Sequence, residues 1–380
     1  FDIVEYAPIG KSKYRDYEIQ LRGIAVKGKG EQFEYALKNT ERLLLAFEDY
    51  FGEAYPYEKI DLVAVPDFAA GAMENAGLIT YRERYLLLGD NPSVGQQRAF
   101  VAIHAHELAH QWLGNLVTMP WWDDLWLSES FATWLENKMS ASVFPELGFS
   151  NEMVRSGNFV MKRDAYKSTR SLQENISLND EIASAFDPIT YDKGGAVLHM
   201  FENFIGQDVF QTAVSFHIQK HKHGTANAAN FYESLEKATG QNSIADTFNS
   251  FVVQNGVPLL TIDYQCKDGI TEIQLDQKRY SMLGQRVNNN QKWQLPACLV
   301  AIDSNQTRQT VCTLLEDKQS YFSINTSQCP LAIIPNKQGA GYFHWSMKKS
   351  HRERLLENIS QLTAAEKYAM AKNYAAGFRA

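Results

Sequence analysis

A five-residue pattern, His-Glu-Leu-Ala-His at positions 106 to 110, places the strongest constraint on how this chain can fold. Residues four apart on an α-helix lie one turn apart on the same face, so the two histidines act together only if the segment is helical. The flanking sequence favours a helix, because alanine recurs along it and no proline interrupts residues 94 to 115. We therefore predict a helix over residues 94 to 115 that presents both histidines on one face.

Two imidazoles at this spacing can bind one metal ion together, and zinc is the metal typical of the pattern. A catalytic zinc site uses three protein ligands and leaves one position open. Glu129 is the best candidate for the third ligand, since it follows His110 by 19 residues and begins the next predicted helix. Glu107 lies about 100° around the helix from His106, where it can hold a water without ligating the metal. The sequence thus predicts one Zn²⁺ per chain, ligated by His106, His110 and Glu129.

Glu136 follows Glu129 by seven residues, which is two helical turns on the same face. Two interpretations stay open for this carboxylate. It either orients one of the ligand histidines from behind or is a solvated residue on the helix surface.

The hydrophobic pattern predicts a mixed protein of class α+β. Residues 1 to about 27 alternate polar and apolar side chains, as short strands do, and residues 31–52 have helical periodicity. Residues 150–255 are mostly helical in pattern, whereas 256–342 show short alternating strands with polar turns, which predicts a small β-sandwich. Residues 343–380 are helical in pattern again and too few to bury a core alone, so we expect them to begin a further domain.

Charge and hydropathy exclude two kinds of partner. The chain has 37 Lys and Arg against 44 Asp and Glu, a net charge of −7, and it has no basic run for nucleic-acid phosphates. No stretch approaches 18 consecutive apolar residues, so no transmembrane segment is predicted. The first residue is Phe rather than Met, which leads us to expect a processed chain or part of a longer one. The oligomeric state stays unknown, and the compartment stays open between cytoplasmic and extracytoplasmic.

Four cysteines, Cys266, Cys298, Cys312 and Cys329, all lie in the β-rich segment, and four cysteines allow three pairings. Cys298 and Cys312 flank a polar turn symmetrically, so a hairpin could bring them opposite each other and permit a disulfide in an oxidising compartment. Buried free thiols are the alternative interpretation. None has the C-x-x-C spacing of a zinc or redox site, so we assign the cysteines no catalytic role.

Three separated motifs together resemble the aminopeptidase N family of zinc metallopeptidases, the gluzincins with a thermolysin-like catalytic domain. The first motif is Gly71-Ala72-Met73-Glu74-Asn75, and the second is the histidine pattern at 106–110 followed by Glu129. The third is Tyr191 in the segment Asp-Pro-Ile-Thr-Tyr-Asp-Lys-Gly-Gly. The resemblance covers about residues 1 to 345.

The resemblance implies a division of the chain into three parts. Residues 1–255 would form a thermolysin-like zinc-peptidase domain, whose first ~25 residues would be strands from or next to a preceding β domain. Residues 256–342 would form the β-sandwich domain, and residues 343–380 the beginning of a truncated helical domain. The missing parts of the two outer domains would normally help to complete and cover the substrate cleft.

The family's roles carry over to the matching residues. His106, His110 and Glu129 would ligate zinc, and Glu107 would be the general base that activates the water and then protonates the leaving amine. Tyr191 would donate a hydrogen bond to the tetrahedral oxyanion. Without the resemblance, Tyr191 would be interpreted as a core or turn residue.

The Gly71–Asn75 motif would bind the substrate. Glu74 would pair with the free α-amino group of a peptide, and its neighbours Gly71, Ala72, Met73 and Asn75 would line the cleft as an edge strand. The implied partners are therefore peptides with a free N-terminus. One departure from the family pattern is that Ser128 and Ser130 flank Glu129, where Asn and Gly are common; Ser128 is compatible with a helix N-cap.

The resemblance favours a zinc aminopeptidase and leaves two alternatives. One is a related epoxide hydrolase, which typically has a second glycine where Ala72 stands in this chain. The other is a catalytically weak fragment that keeps the fold and acts only as a binding module.

Overall fold

A computed structural model of the chain describes residues 1–285, 287, 290–325 and 328–380. It has the mixed α and β content that the sequence predicts. These residues form two compact units: Phe1–Ser150 with Gln211–Ser234, and Asn151–Phe210 with Leu235–Ala380. The division into three domains with boundaries near residues 255 and 342 stays a prediction.

Both units contain α-helices. In chain order they are α1 (Glu34–Phe51), α2 (Glu83–Leu86), α3 (Val94–His110), α4 (Trp126–Val143), α5 (Glu152–Asp164), α6 (Asn179–Ala185), α7 (Gly194–Ile205), α8 (Gln207–His221), α9 (Ala228–Thr239), α10 (Ser243–Val252), α11 (Lys349–Glu357) and α12 (Ala364–Gly377). Across the described part of the chain, no helix combines the length and apolar character needed to span a bilayer.

A five-stranded mixed sheet organises the first unit. Its strands are β1 (Asp2–Glu5), β2 (Gln20–Ala25), β3 (Lys59–Val65), β4 (Ala72–Met73) and β5 (Leu78–Arg82), joined in the order β1-β2-β3-β5-β4. The pairs β2–β3 and β3–β5 are parallel, whereas β4 runs antiparallel to β5. The β4 strand therefore ends the sheet, as an edge strand does. A short parallel pair, β6 (Val117–Thr118) with β7 (Gly224–Thr225), lies outside this sheet.

Helix α3 begins and ends for local reasons. Ser93 caps it, because the Ser93 Oγ accepts from the Gln96 backbone N–H while the Gln96 side chain accepts from the Ser93 N–H. The helix ends at His110 rather than at the predicted residue 115. Gly114 keeps the helix from reaching residue 115, since its φ of +130° is incompatible with a helix and a Cβ there would lie 2.6 Å from the Ser128 Oγ.

Aromatic side chains bury α3 and α4 against α1. Trp112, just beyond the end of α3, packs on Phe47 and Phe51 of α1 with ring centroids 6.0 and 5.1 Å away. Trp134 of α4 meets Tyr50 of α1 edge to face at 5.9 Å. Fully burying rings of this size stabilises the unit by roughly 2–3 kcal/mol each, which fixes α3 and α4 relative to one another.

Two antiparallel-rich sheets occupy the second unit. Their strands are β8 (Pro258–Lys267), β9 (Ile270–Arg279), β10 (Leu295–Ile302), β11 (Arg308–Leu315), β12 (Gln319–Asn325), β13 (Ala332–Ile334) and β14 (His344–Met347). The orders are β12-β9-β8-β14 and β11-β10-β13. This agrees with the β character predicted for 256–342. The predicted helical segment from residue 343 instead begins with β14, because its backbone pairs in parallel with β8, a distant partner that local periodicity does not reveal.

The cysteines form two disulfides, Cys266–Cys329 and Cys298–Cys312. The second pair joins β10 to β11, where Cys298 and Cys312 lie directly opposite in an antiparallel hairpin. The interpretation as buried free thiols is therefore wrong. None of the four cysteines is buried: Cys266 and Cys298 are partly exposed, and Cys312 and Cys329 are exposed.

Candidate active site

Three side chains of the first unit converge to form a possible metal centre. His106 and His110 lie on the last turn of α3, and Glu129 lies on the first turn of α4. The two histidine Nε2 atoms are 3.1 Å apart, and the Glu129 Oε2 is 3.2 Å from the first and 3.3 Å from the second. Among the described residues, this is the only group of three His, Cys, Asp or Glu side chains close enough to share a metal ion.

The hydrogen bonds behind His110 fix which of its nitrogens carries the proton. Its Nδ1 lies 3.1 Å from the Leu113 carbonyl oxygen and 3.0 Å from the Ser128 Oγ. A carbonyl oxygen can only accept, so the Nδ1 is the donor and the Nε2 keeps its lone pair toward the centre. Ser128 is inside α4, whose N-cap is Leu125, so the N-cap role considered for Ser128 is wrong. Its hydroxyl instead lies against a ligand histidine.

Glu136 plays the equivalent part for His106. Its Oε2 lies 3.2 Å from the His106 Nδ1, so a carboxylate accepts the proton on that side and the Nε2 lone pair again points to the centre. Of the two interpretations of Glu136, the orienting role fits this geometry.

The donor set therefore fits zinc. When both rings are neutral and in these tautomers, two imidazole lone pairs and one carboxylate oxygen face one another with no proton between them. A cation removes this repulsion, and His, His and Glu are the ligands of many catalytic zinc sites.

Electrostatics point the same way. Burial by itself lowers the pKa of His106 and His110, but the neighbouring carboxylates outweigh it. Glu129 raises the pKa of both, and Glu136 also raises that of His106, which lies well above its usual range. Burial by itself raises the pKa of Glu129, yet the two histidines hold it far below its usual range. Positive charge is thus favoured at the point where the three side chains meet.

Glu107 is buried beside this group and has a free oxygen. Its Oε2 has no hydrogen-bond partner among the residues that the structure describes. Burial raises the pKa of Glu107 to about 7 against the opposing effect of His106 and His110. A buried, unpaired carboxylate oxygen is costly unless a water or substrate meets it. A carboxylate with such a pKa can accept a proton and return it near neutral pH.

Two side chains just past the end of α3 hold Glu74 in place. The Gln111 Nε2 and the Asn115 Nδ2 donate to the Glu74 backbone oxygen at 3.0 and 2.8 Å. The Glu74 charge contributes to the raised pKa of both Glu107 and His110, so its carboxylate is close to them. The sequence reasoning did not identify Gln111 and Asn115; their position directly after the histidine pattern was the only available signal.

The remaining residues of the Gly71–Asn75 motif lie along the sheet edge. Ala72 and Met73 form β4, and the Gly71 carbonyl accepts from the Arg82 N–H at 2.9 Å. A Cβ on Gly71 would lie 3.0 Å from the Ile103 side chain of α3, so a glycine allows this close approach. The Asn75 Nδ2 donates to the Thr80 Oγ1 at 3.2 Å.

Tyr191 belongs to the second unit. It lies in a π-helical turn, Ile189–Lys193, that leads into α7, and its side chain is half-buried. The first unit thus brings together His106, His110, Glu129 and Glu107, whereas the participation of Tyr191 stays a prediction.

Comparisons with known proteins agree with this chemistry. The sequence profile described as "Peptidase family M1 domain" matches residues 35–251. The chain is 32% identical over 351 residues to "Aminopeptidase M1-A" of Oryza sativa subsp. japonica, covering 90% of this chain and 39% of that protein. It is 34% identical over 307 residues to "Aminopeptidase M1" of Arabidopsis thaliana, covering 80% of this chain and 34% of that protein.

A third relative is similar to the chain at about the same level of identity. "Probable aminopeptidase 2" of Sulfurisphaera tokodaii is 35% identical over 272 residues, covering 71% of this chain and 34% of that protein. The chain therefore spans well under half the length of each of these relatives.

Proposed function

We propose that this chain, which belongs to peptidase family M1, is a zinc-dependent aminopeptidase that removes N-terminal residues from peptides. The motifs of the chain resemble those of the aminopeptidase N family. One observation carries the proposal: two histidines and a glutamate present lone pairs to one point, beside a buried carboxylate with an unpaired oxygen. That combination suits hydrolysis by an activated water.

His106, His110 and Glu129 would hold the zinc. When bound, the ion would supply Lewis acidity, which polarises the peptide carbonyl and makes a nearby water easier to deprotonate. Glu107 would take a proton from that water while the water oxygen bonds to the carbonyl carbon of the peptide. The same carboxyl would then pass the proton to the nitrogen as the carbon–nitrogen bond breaks, which releases the amine and leaves Glu107 ionised. Tyr191 would donate its phenolic hydrogen bond to the oxyanion formed between these steps.

Glu74 would explain why the chain acts at N-termini. Its carboxylate would pair with the substrate ammonium group, and the backbone of β4 would pair with the peptide as an added strand. A peptide with a blocked N-terminus lacks the cation, so it would leave Glu74 unpaired in a partly desolvated cleft. We therefore propose peptides with a free N-terminus as the substrates.

The two alternatives are not favoured. The relatives described above are all named as aminopeptidases, which does not support the epoxide hydrolase. A binding module without activity would not need the unpaired Glu107 oxygen beside a metal-binding group.

The decisive experiment measures zinc content and hydrolysis of an aminoacyl amide for the protein and for Glu107→Gln. We expect about one zinc per chain in both, and a loss of roughly 10²–10⁴-fold in kcat in the variant, the usual contribution of a general base. Glu31→Gln, which changes an exposed carboxylate of the same unit, is the matched control and should keep full activity.

Two results would contradict the proposal. A protein that binds no zinc when the metal is supplied would remove the metal assignment. Equal hydrolysis of a free and an N-acetylated peptide would remove the role of Glu74 and with it the restriction to N-termini.

A further inference from the structure

The turn that carries Tyr191 has an uncommon geometry. Residues Ile189–Lys193 form a single π-helical turn between Pro188 and α7. Turns of this kind are rare because they are less favourable than an α-helical turn, and they persist where other contacts hold them. The contacts that hold this turn therefore determine where the Tyr191 side chain points.

An ion pair fixes the beginning of the turn. The Asp187 Oδ1 accepts from the backbone N–H groups of Ile189 and Thr190 at 2.9 and 3.1 Å. Arg170 pairs with the same carboxylate, with its Nη2 2.5 Å from the Oδ1, and donates to the Thr190 Oγ1 at 2.6 Å. The chain is thus fixed just before Tyr191.

A second ion pair fixes the end of the turn. The Lys193 Nζ lies 2.9 Å from the Asp164 Oδ2, and both side chains are completely buried. The Lys193 Nζ also donates to the Gln254 carbonyl at 3.0 Å. The Asp164 carboxylate also accepts hydrogen bonds from the Tyr342 hydroxyl, the Thr169 hydroxyl and the Gly256 backbone N–H.

Such a network is expensive if it only stabilises the fold. Removing two charges from water costs free energy that their attraction does not reliably return, and apolar residues of similar volume are often as stable. The pair provides a directional contact that apolar residues lack. Asp164 on α5 holds the ammonium group of Lys193, which lies two positions after Tyr191. A directional ion pair can therefore specify one rotation of this turn in addition to stabilising it.

We propose that Asp164 and Lys193 are positioning residues for Tyr191: their buried ion pair holds the π-helical turn, and with it the Tyr191 side chain, in a single rotation. The inference rests on the proposed role of Tyr191 in hydrolysis. Asp164 and Lys193 do not touch the substrate in this scheme and act only through the turn.

The test is a double-mutant cycle. Asp164→Asn combined with Lys193→Gln replaces the ion pair by two neutral amides and avoids an unpaired buried charge. We expect kcat to fall by about 10–100-fold with KM nearly unchanged and zinc content intact, part of the 10²–10³-fold that losing one oxyanion donor costs. In a Tyr191→Phe background the same pair of substitutions should have no further effect, because residues that act through one group are not additive.

A milder variant guards against misfolding. Tyr342→Phe keeps the ion pair and removes one hydrogen bond to Asp164, so a smaller fall in kcat is expected, again only when Tyr191 is present. Replacing Arg308 and Glu366 by glutamine removes another ion pair of the same unit, whose bonds go to residues 338, 361 and 363 rather than to the turn. That control should leave kcat unchanged.

Hydrogen exchange gives a readout that does not need activity. The amides of Ile189, Thr190 and Tyr191 are bonded to Asp187 and should exchange slowly. We expect their exchange to be at least about tenfold faster in the Asp164/Lys193 double variant, but not in the Arg308/Glu366 control.

The outcomes separate this inference from the proposed function. If Tyr191→Phe itself leaves kcat unchanged, the role of Tyr191 fails. If Tyr191→Phe lowers kcat but the Asp164/Lys193 substitutions lower it equally in both backgrounds, or leave the exchange of the turn unchanged, then the positioning role is wrong while the function stands.

Discussion

At the scale of single residues, the metal-binding group depends on the atoms behind the histidines. The Leu113 carbonyl and the Glu136 carboxylate each accept from an Nδ1, which leaves both Nε2 lone pairs facing Glu129. This arrangement also keeps each ring from rotating, so little side-chain entropy remains to be lost when a metal binds.

Glu136 gives a prediction at this scale. Glu136→Ala should weaken zinc binding by about 10–100-fold, because His106 loses the acceptor that fixes its tautomer and orientation. Glu136→Gln keeps an oxygen acceptor, so a smaller loss is expected. Competition with a chelator of known zinc affinity measures both. Identical zinc affinities for the protein and Glu136→Ala would mean that the carboxylate is only a solvated surface group.

At the scale of elements, the two ends of helix α3 have different roles, one in stability and one in metal binding. Its first turn is stabilised by the capping box of Ser93 and Gln96, whereas its last turn carries His106 and His110. The helix has 17 residues, so its two ends are about 25 Å apart at 1.5 Å per residue, and stability and metal binding can be changed independently.

Ser93→Ala tests this separation. The variant should lose about 1 kcal/mol of unfolding free energy, because the Gln96 backbone N–H loses its partner, while zinc affinity stays the same. Ser93→Thr retains a capping hydroxyl and should lose much less. Urea unfolding followed by fluorescence measures the change. A tenfold loss of zinc affinity in Ser93→Ala would show that the two ends are coupled.

The ends of elements also separate local from distant causes. The capping of α3 can be found in the sequence, because Ser93 and Gln96 are three residues apart. The helix stops short of residue 115 because Gly114, whose φ is positive, lies against Ser128 of another helix, and β14 depends on pairing with β8. Hydrophobic periodicity contains neither contact, so the predicted helix end at residue 115 is wrong, and the segment from residue 343 begins with a strand before its helices.

At the scale of the whole molecule, the disulfides close loops of very different length. The cysteines of the Cys266–Cys329 pair are 63 residues apart, and those of Cys298–Cys312 are 14 apart. In the chain-entropy description, a cross-link stabilises by restricting the unfolded chain, and more so for a longer loop.

Replacing each pair by alanine should therefore have unequal effects. We expect a loss of about 4 kcal/mol for Cys266 with Cys329 and about 3 kcal/mol for Cys298 with Cys312. All four residues lie outside the core, so lost packing contributes little to either value. Urea unfolding of the two double variants measures the difference. A larger loss for the shorter loop would contradict the entropic origin.

The sequence by itself determined whatever depends on near neighbours along the chain. The spacing of His106 and His110 fixes them on one helical face, and the symmetric placement of Cys298 and Cys312 about a turn suggested their hairpin. The choice of Glu129 as partner also followed, because a helix–loop–helix return of that length has few alternatives.

Only the tertiary structure decided which distant groups complete these local ones. In the structure Glu136 contacts His106 in the orienting position, and Ser128 lies behind His110 rather than capping a helix. Cys266 is bonded to Cys329. The tertiary structure also set Asp164 against Lys193, 29 positions along the chain. Helical spacing and capping are short-range properties of the backbone, so the sequence pattern predicts them. The contacts just described form only when separate elements pack, so the sequence shows the chemical type of each side chain but not the partner that it meets.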